Sequence, residues 1–169
     1  MKSANFDMTS NPEIHAFFDM ATNTISYIVQ DPGSQHCAII DSVMDIDYAA
    51  GQISYAHADH LISFITDKEW ELDWLIETHV HADHLSAAPY IQSQIGGKLG
   101  IGAGIKTVQS VFGKIFNEGT DFERDGSQFD YLFQEGDTYK IGSLDVTAID
   151  TPGHTPACMT HLIGDAAFV

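Results

Sequence analysis

Apolar and polar positions divide the chain into short apolar runs separated by turn residues, with helical spacing in a few stretches. Ile25-Ser26-Tyr27-Ile28-Val29 is β-branched and aromatic and predicts a strand. Asp31-Pro32-Gly33-Ser34 reads as a turn, and Cys37-Ala38-Ile39-Ile40-Asp41 as a second apolar strand ending in a carboxylate, so the pair predicts a hairpin. Residues 1–24 hold scattered aromatics, among them Phe17 and Phe18, and residues 42–58 read as loop. Asp59 is placed to cap a helix running to Trp70, with Leu61, Ile62 and Ile65 on its inner face. Trp74 to Thr78 predicts a short strand that ends at a polar cluster, His79 to His84. A helix follows, with Ala88, Ile91 and Ile95 on one face, Pro89 in its first turn and Gly96-Gly97 ending it. Lys98 to Ile101 predicts a strand, and Ile105, Val108, Phe112, Ile115 and Phe116 recur at helical spacing. Residues 117–127 read as a polar loop. Strands are then expected at 139–141, 144–149, 159–163 and 166–169, with Gly136-Asp137 and Gly164-Asp165 in turns. Strands with interspersed helices come first and strand meanders later, which predicts one α/β layered domain over residues 1–169.

The segment Thr78-His79-Val80-His81-Ala82-Asp83-His84 changes this picture, because it concentrates imidazoles and a carboxylate just after an apolar strand. At an extended strand end, residues two apart point the same way, so His79 and His81 can converge on one point. Asp83 and His84 turn into the helix start and can face a second point nearby. Neutral imidazole and ionised carboxylate are good ligands for Zn(II), Fe(II) and Mn(II). A lone histidine here would read as a solvated loop residue, and Asp83 as a helix N-cap. The whole constellation favours a metal, since one cation satisfies groups that would be costly to bury unpaired.

A second element supports this reading. Asp150-Thr151-Pro152-Gly153-His154-Thr155-Pro156 follows an apolar strand, and Pro152-Gly153 permits a sharp turn that aims His154 at the sheet end. His57-Ala58-Asp59-His60 repeats the letters of His81 to His84, but Tyr55 stands where a histidine would be needed and no apolar strand precedes it. It reads as a helix entrance with surface histidines. His15, His36 and His161 stand alone and read as structural or exposed.

Charge narrows the partners. With 7 Lys plus Arg against 24 Asp plus Glu, the formal charge of −17 repels nucleic acid and anionic membrane. No apolar run approaches the ~18 residues of a membrane span. Only Cys37 and Cys158 are present, so no disulfide framework is expected and the default compartment is a reducing cytoplasm.

The histidine motifs together resemble the metallo-β-lactamase superfamily, whose pattern is H-x-H-x-D-H, a distant histidine in a T-P-G-H-T loop, an aspartate and a last histidine. The resemblance covers Ile25 to Val169 and implies an αββα sandwich, with metal at one edge of its two sheets. Within the superfamily, Val80 and Ala82 are similar to the persulfide dioxygenases. The glyoxalase II type usually has a third histidine where Val80 stands and a bulkier residue where Ala82 stands. Cys158, four residues after His154, adds to that likeness, although a small buried hydrophobe is an equal reading.

The resemblance implies a single Fe(II) held by two histidines and one carboxylate, with positions open for dioxygen and a sulfur substrate. His79 and His154 are the implied iron ligands. His81, Asp83 and His84 stand beside them, orienting ligands and waters, which makes Asp83 the candidate catalytic carboxylate. The implied reaction oxidises glutathione persulfide to sulfite and glutathione. The alternative is a Zn(II) hydrolase of a glutathione thioester, in which His79, His81 and His154 hold one zinc and Asp83 with His84 a second. Either reading gives a small thiol-derived substrate, and a homodimer is compatible with both. In the family the carboxylate ligand follows a strand like 166–169, in a Gly-Asp pair. Residues 1–169 are therefore expected to be the N-terminal portion of the domain, lacking its C-terminal part. Asp165 precedes that strand and is not the missing ligand.

Overall fold

A computed structural model describes residues 11–116 and 122–169. The strands are β1 (Glu13–Asp19), β2 (Thr24–Gln30), β3 (His36–Ile40), β4 (Val43–Asp47) and β5 (Gln52–Ser54). Helix α1 (Ala56–Asp67), β6 (Glu71–Glu77), β7 (Leu85–Ser86), α2 (Ala88–Ile95), β8 (Lys98–Gly102) and α3 (Ile105–Ile115) follow. The chain then runs through β9 (Tyr131–Phe133), β10 (Thr138–Ile141), β11 (Leu144–Asp150), β12 (Met159–Ile163) and β13 (Ala166–Phe168). A six-stranded sheet has the order β1-β2-β3-β6-β8-β9 and a four-stranded sheet the order β10-β11-β12-β13. In the larger sheet β1, β2 and β3 pair antiparallel, and β3, β6, β8 and β9 pair parallel.

Alternation along the central strands explains the layers. Cys37, Ile39, Leu72, Leu75 and Leu99 pack with Leu61 and Ile65 of α1 and Ile91 of α2. Ala38, Ile40, Trp74 and Ile76 face the other way and pack with Ile141, Val146, Ala148, Met159 and Ile163 of the smaller sheet. Successive side chains of a strand point to opposite faces, so one sheet supplies both cores. The parallel pairing of β3 with β6 slips at Asp73, between the pairs Cys37–Leu72 and Ala38–Trp74. That extra residue inverts the phase and puts Leu72 and Leu75 on the same face. The bulged Asp73 accepts from Gly142 N at 2.8 Å and lies 2.8 Å from His36 Nδ1. These are the helix, sheet and sheet layers of the expected α/β sandwich.

Several elements differ from the sequence expectation. Residues 13–19 form an edge strand, because Phe17 and His15 alternate inward onto the aromatic cluster of Phe64 and Trp70 while Phe18 stays 55% exposed. The expected loop at 42–58 contains β4 and β5, which join β7 in a small sheet. Helix α1 begins at Ala56, so Asp59 lies in its first turn, where it accepts from the Tyr90 hydroxyl at 2.7 Å, and does not cap it. Strand β9 was not expected, yet it places Phe133 in the core. The expected inner face of α3 is wrong. Ile105 and Val108 are buried together with Gln109 and Gly113, while Phe112, Ile115 and Phe116 are 49%, 66% and 69% exposed. The helix rests its polar side on the following loop: Gln109 accepts from Gly126 N and donates to Gln128, and Arg124 crosses close over Gly113. Of the expected polar loop, 117–121 lies outside the described residues. Among the described residues no helix is long and apolar enough to cross a membrane.

His161 is fully buried in β12, which makes it structural, one of the two readings open from the sequence. Its Nδ1 lies 2.9 Å from the Tyr139 hydroxyl, and its Nε2 has no hydrogen-bond partner among the described residues. Burial pulls its pKa down from the usual 6.5 to about 4. The folded ring therefore resists a proton that the unfolded chain accepts below pH 6.5. Stability present above that pH should fall as pH drops towards 4, by about 3 kcal/mol from this group. Denaturant melts of His161→Gln across that window should show a pH slope shallower by about one proton than the unaltered chain.

Candidate metal centre

The site lies where β3 and β6 end and β12 begins. Asp41 follows β3 in the left-handed region, with φ at +52°. Few non-glycine residues adopt it, although aspartate tolerates it better than most. The gain is a fixed carboxylate: Oδ1 accepts from Thr78 N at 2.8 Å and Oδ2 from the Thr78 hydroxyl at 2.8 Å. Thr78 is thereby pinned just before the histidine cluster. Its carbonyl accepts the Met159 amide at 2.9 Å, which ties the His79 segment to the start of β12.

That tie sets the position of the second loop. Residues 151–158 close on themselves through Thr151 N to Cys158 O and Gly153 N to Thr155 O. Ala157 then packs against Ile101, Ile105 and Val108, with Val80 from the first loop on the same cluster. The contact demands glycine beneath it, since a Cβ on Gly104 would lie 2.9 Å from Ala157 Cα. The outcome is that the rings of His79 and His154 meet edge to face, with centroids 4.9 Å apart.

The His79 ring is also 4.2 Å from His81, and His81 is 4.2 Å from His84. One ligand atom each from His81, Asp83 and His84 all fall within 4.8 Å of one another. Among the described residues no hydrogen bond joins these imidazoles. His79 Nδ1 is 3.0 Å from the Thr78 hydroxyl, which leaves Nε2 for the centre. His84 is buried, and its Nε2 has no hydrogen-bond partner among the described residues. Crowded, unpaired imidazole nitrogens beside a carboxylate are what a cation would satisfy. His154 is exposed at the rim. The five residues singled out from the sequence thus share one edge, whereas His57 and His60 serve elsewhere. His57 N donates to Asp45, and the His60 ring packs edge-on against Phe17.

Electrostatics divides the cluster. Burial opposes charge on His81, but the Asp41 and Glu77 carboxylates outweigh it and push the ring up to about 10. Burial and the neighbouring His81 hold His79 and His84 below the usual imidazole value. Partial burial works against the Asp83 carboxylate, yet its own backbone amide, His84 and His81 hold it low, so it is ionised near neutrality. The sequence reading missed Asp41 and Glu77 as site residues. The signal existed: Asp41 ends an apolar strand, and Glu77 is a carboxylate at the end of Leu75-Ile76.

The sequence pattern of the metallo-beta-lactamase superfamily matches residues 21–169. A probable metallo-hydrolase of Burkholderia pseudomallei is 52% identical over 153 residues, covering 90% of this chain and 52% of that protein. A glyoxylase B2 of Dictyostelium discoideum is 42% identical over 164 residues, covering 96% of this chain and 56% of that protein. The mitochondrial persulfide dioxygenase ETHE1 of Mus musculus is 26% identical over 152 residues, covering 90% and 48%. The crystal structure of ETHE1 from Myxococcus xanthus superposes with a TM-score of 0.68 at 20% identity, covering 92% of this chain and 56% of that one. The chain thus spans about half the length of these relatives. On the match over 21–169 and on the likeness of fold, the chain belongs to the metallo-beta-lactamase superfamily, a family of metal-dependent enzymes.

Proposed function

We propose that the protein is an iron-dependent persulfide dioxygenase acting on glutathione persulfide. The observation that carries this reading is the edge-to-face pair of His79 and His154, 4.9 Å apart at the open edge of the sheets. Two imidazoles so placed would supply two-thirds of a facial triad, and a carboxylate after a strand like β13, as in the family pattern, would complete it. Similarity to a persulfide dioxygenase over 90% of the chain supports the choice, together with Val80, Ala82 and Cys158. Bound Fe(II) would supply a site where dioxygen and the persulfide sulfur react. The chain's own groups hold the ion and shape its surroundings. His81, which is turned onto Asp41 and Glu77, and ionised Asp83 would orient ligands and water beside it. Glutathione persulfide, dioxygen and water give glutathione, sulfite and two protons.

A second reading is favoured by the group His81, Asp83 and His84, which could hold a metal of its own. A two-zinc site would lower the pKa of bound water and polarise a thioester carbonyl, as in a hydrolase of a glutathione thioester. The more similar metallo-hydrolase and glyoxylase relatives support this alternative.

Oxygen uptake separates the two. Protein purified without added metal and assayed with glutathione persulfide should contain iron and consume one dioxygen per sulfite formed. Zinc content with thioester cleavage and no oxygen uptake would replace the first reading by the second.

A further inference from the structure

Glu77 is a carboxylate only 4% exposed at the end of a strand whose preceding residues, Leu75 and Ile76, are core. An ionisable group in such a place is expensive unless it is paired. Its Oε1 accepts from the Ser86 hydroxyl at 2.6 Å, and Ser86 Oγ in turn accepts from Ala88 N in the first turn of α2 at 3.0 Å. Its Oε2 has no hydrogen-bond partner among the described residues and lies at ion-pair distance, 3.3 Å, from His81 Nε2. Asp41 Oδ1 reaches the same nitrogen at 3.1 Å. The ring of His81 is therefore held between two carboxylates that anchor opposite ends of the loop. Asp41 grips Thr78 where the loop begins, and Glu77 grips Ser86 where it ends.

We propose that Glu77 is a positioning residue for the metal centre: it fastens His81 through Nε2 and so leaves Nδ1 as the nitrogen this ring offers to a metal. The inference rests on the metal-binding reading of the site in which His81 is itself a ligand, as in the two-zinc alternative. Carboxylates behind metal-binding imidazoles fix the ring's tautomer and orientation. Here Asp41 alone could fix the tautomer. Glu77 adds orientation, because it couples the ring to Ser86 and the start of α2.

The test compares the unaltered protein with Glu77→Leu and Glu77→Gln, each loaded anaerobically with Co(II), whose visible spectrum reports ligand geometry. Affinity is read by competition with a chromophoric chelator. The leucine variant keeps volume and removes the acceptor. It should bind Co(II) about 10- to 100-fold more weakly, with altered visible bands. The glutamine variant keeps an oxygen acceptor and should restore both the spectrum and most of the affinity. A leucine variant with the original affinity and spectrum overturns the proposal, as does one that merely melts earlier. If the leucine variant does not fold, the unaltered protein loaded with diamagnetic Zn(II) decides. Long-range ¹⁵N–¹H correlations should show the His81 proton on Nε2, and a ring protonated on Nδ1 alone overturns the proposal. Absence of metal binding by the unaltered protein would remove the metal reading itself. Normal binding with an indifferent leucine variant would remove only the role of Glu77.

Discussion

His79→Ala and His154→Ala should each strip the centre of its metal and abolish turnover. The rings come from loops 75 residues apart in sequence, and each would hold the same ion from a different side. A structural zinc held by four ligands is worth about 10–16 kcal/mol, so a single protein ligand to a metal carries about 3 kcal/mol, or roughly a hundredfold in affinity. Elemental analysis after dialysis against a weak chelator should find each variant nearly empty. His57→Ala and His60→Ala supply the control, since they alter the same four-letter motif in α1. Their metal content should match that of the unaltered protein. A His154→Ala protein that retained its metal at full affinity would show that the second loop contributes no ligand.

Phe133→Ala should cause the largest loss of stability. The ring is fully buried between the sheets, with centroids 5.5 Å from Trp74, 4.7 Å from Tyr139 and 5.0 Å from His161. It lies flush on Gly100, where a Cβ would come within 2.5 Å of the ring. That glycine is a shape requirement, because β8 and β9 pair directly there. Removing a buried phenylalanine costs about 3–5 kcal/mol, through lost transfer energy and the cavity left behind. For a chain of this size that corresponds to a fall in Tm of roughly 10 °C. Calorimetry would measure it, and a fall of only a degree or two would mean that the core collapses into the space.

The elements that were legible in the sequence share a property. Strand β3 is a nearly continuous apolar run, β2, β11 and β12 are rich in β-branched and apolar residues between turns, and α2 is bounded by Pro89 and Gly96. Each signal lies within a few residues of the element it marks. The missed strands lack it. Residues 13–19 mix a glutamate, a histidine and an exposed Phe18, and β4 alternates acids with apolar residues in Val43-Met44-Asp45-Ile46-Asp47. Pairing with a neighbour makes them strands, as tertiary context outweighs intrinsic preference. On α3 the periodicity was real, but the loop at 122–129 offers Gln109 and Gly113 the better fit.

The sequence by itself determined the donor chemistry of this protein. Ligand types and their local spacing in His79-Val80-His81-Ala82-Asp83-His84 are written in the covalent chain, as is the turn that carries His154. Tertiary structure alone decided which of the nine histidines meet, because the approach of His154 to His79 depends on a backbone bond from Met159 to Thr78 and on bare glycines under Ala157. It also decided that Asp41 and Glu77 serve the site. The role of a carboxylate depends on burial and on the partner it faces, and both arise only when strands distant in sequence are brought side by side.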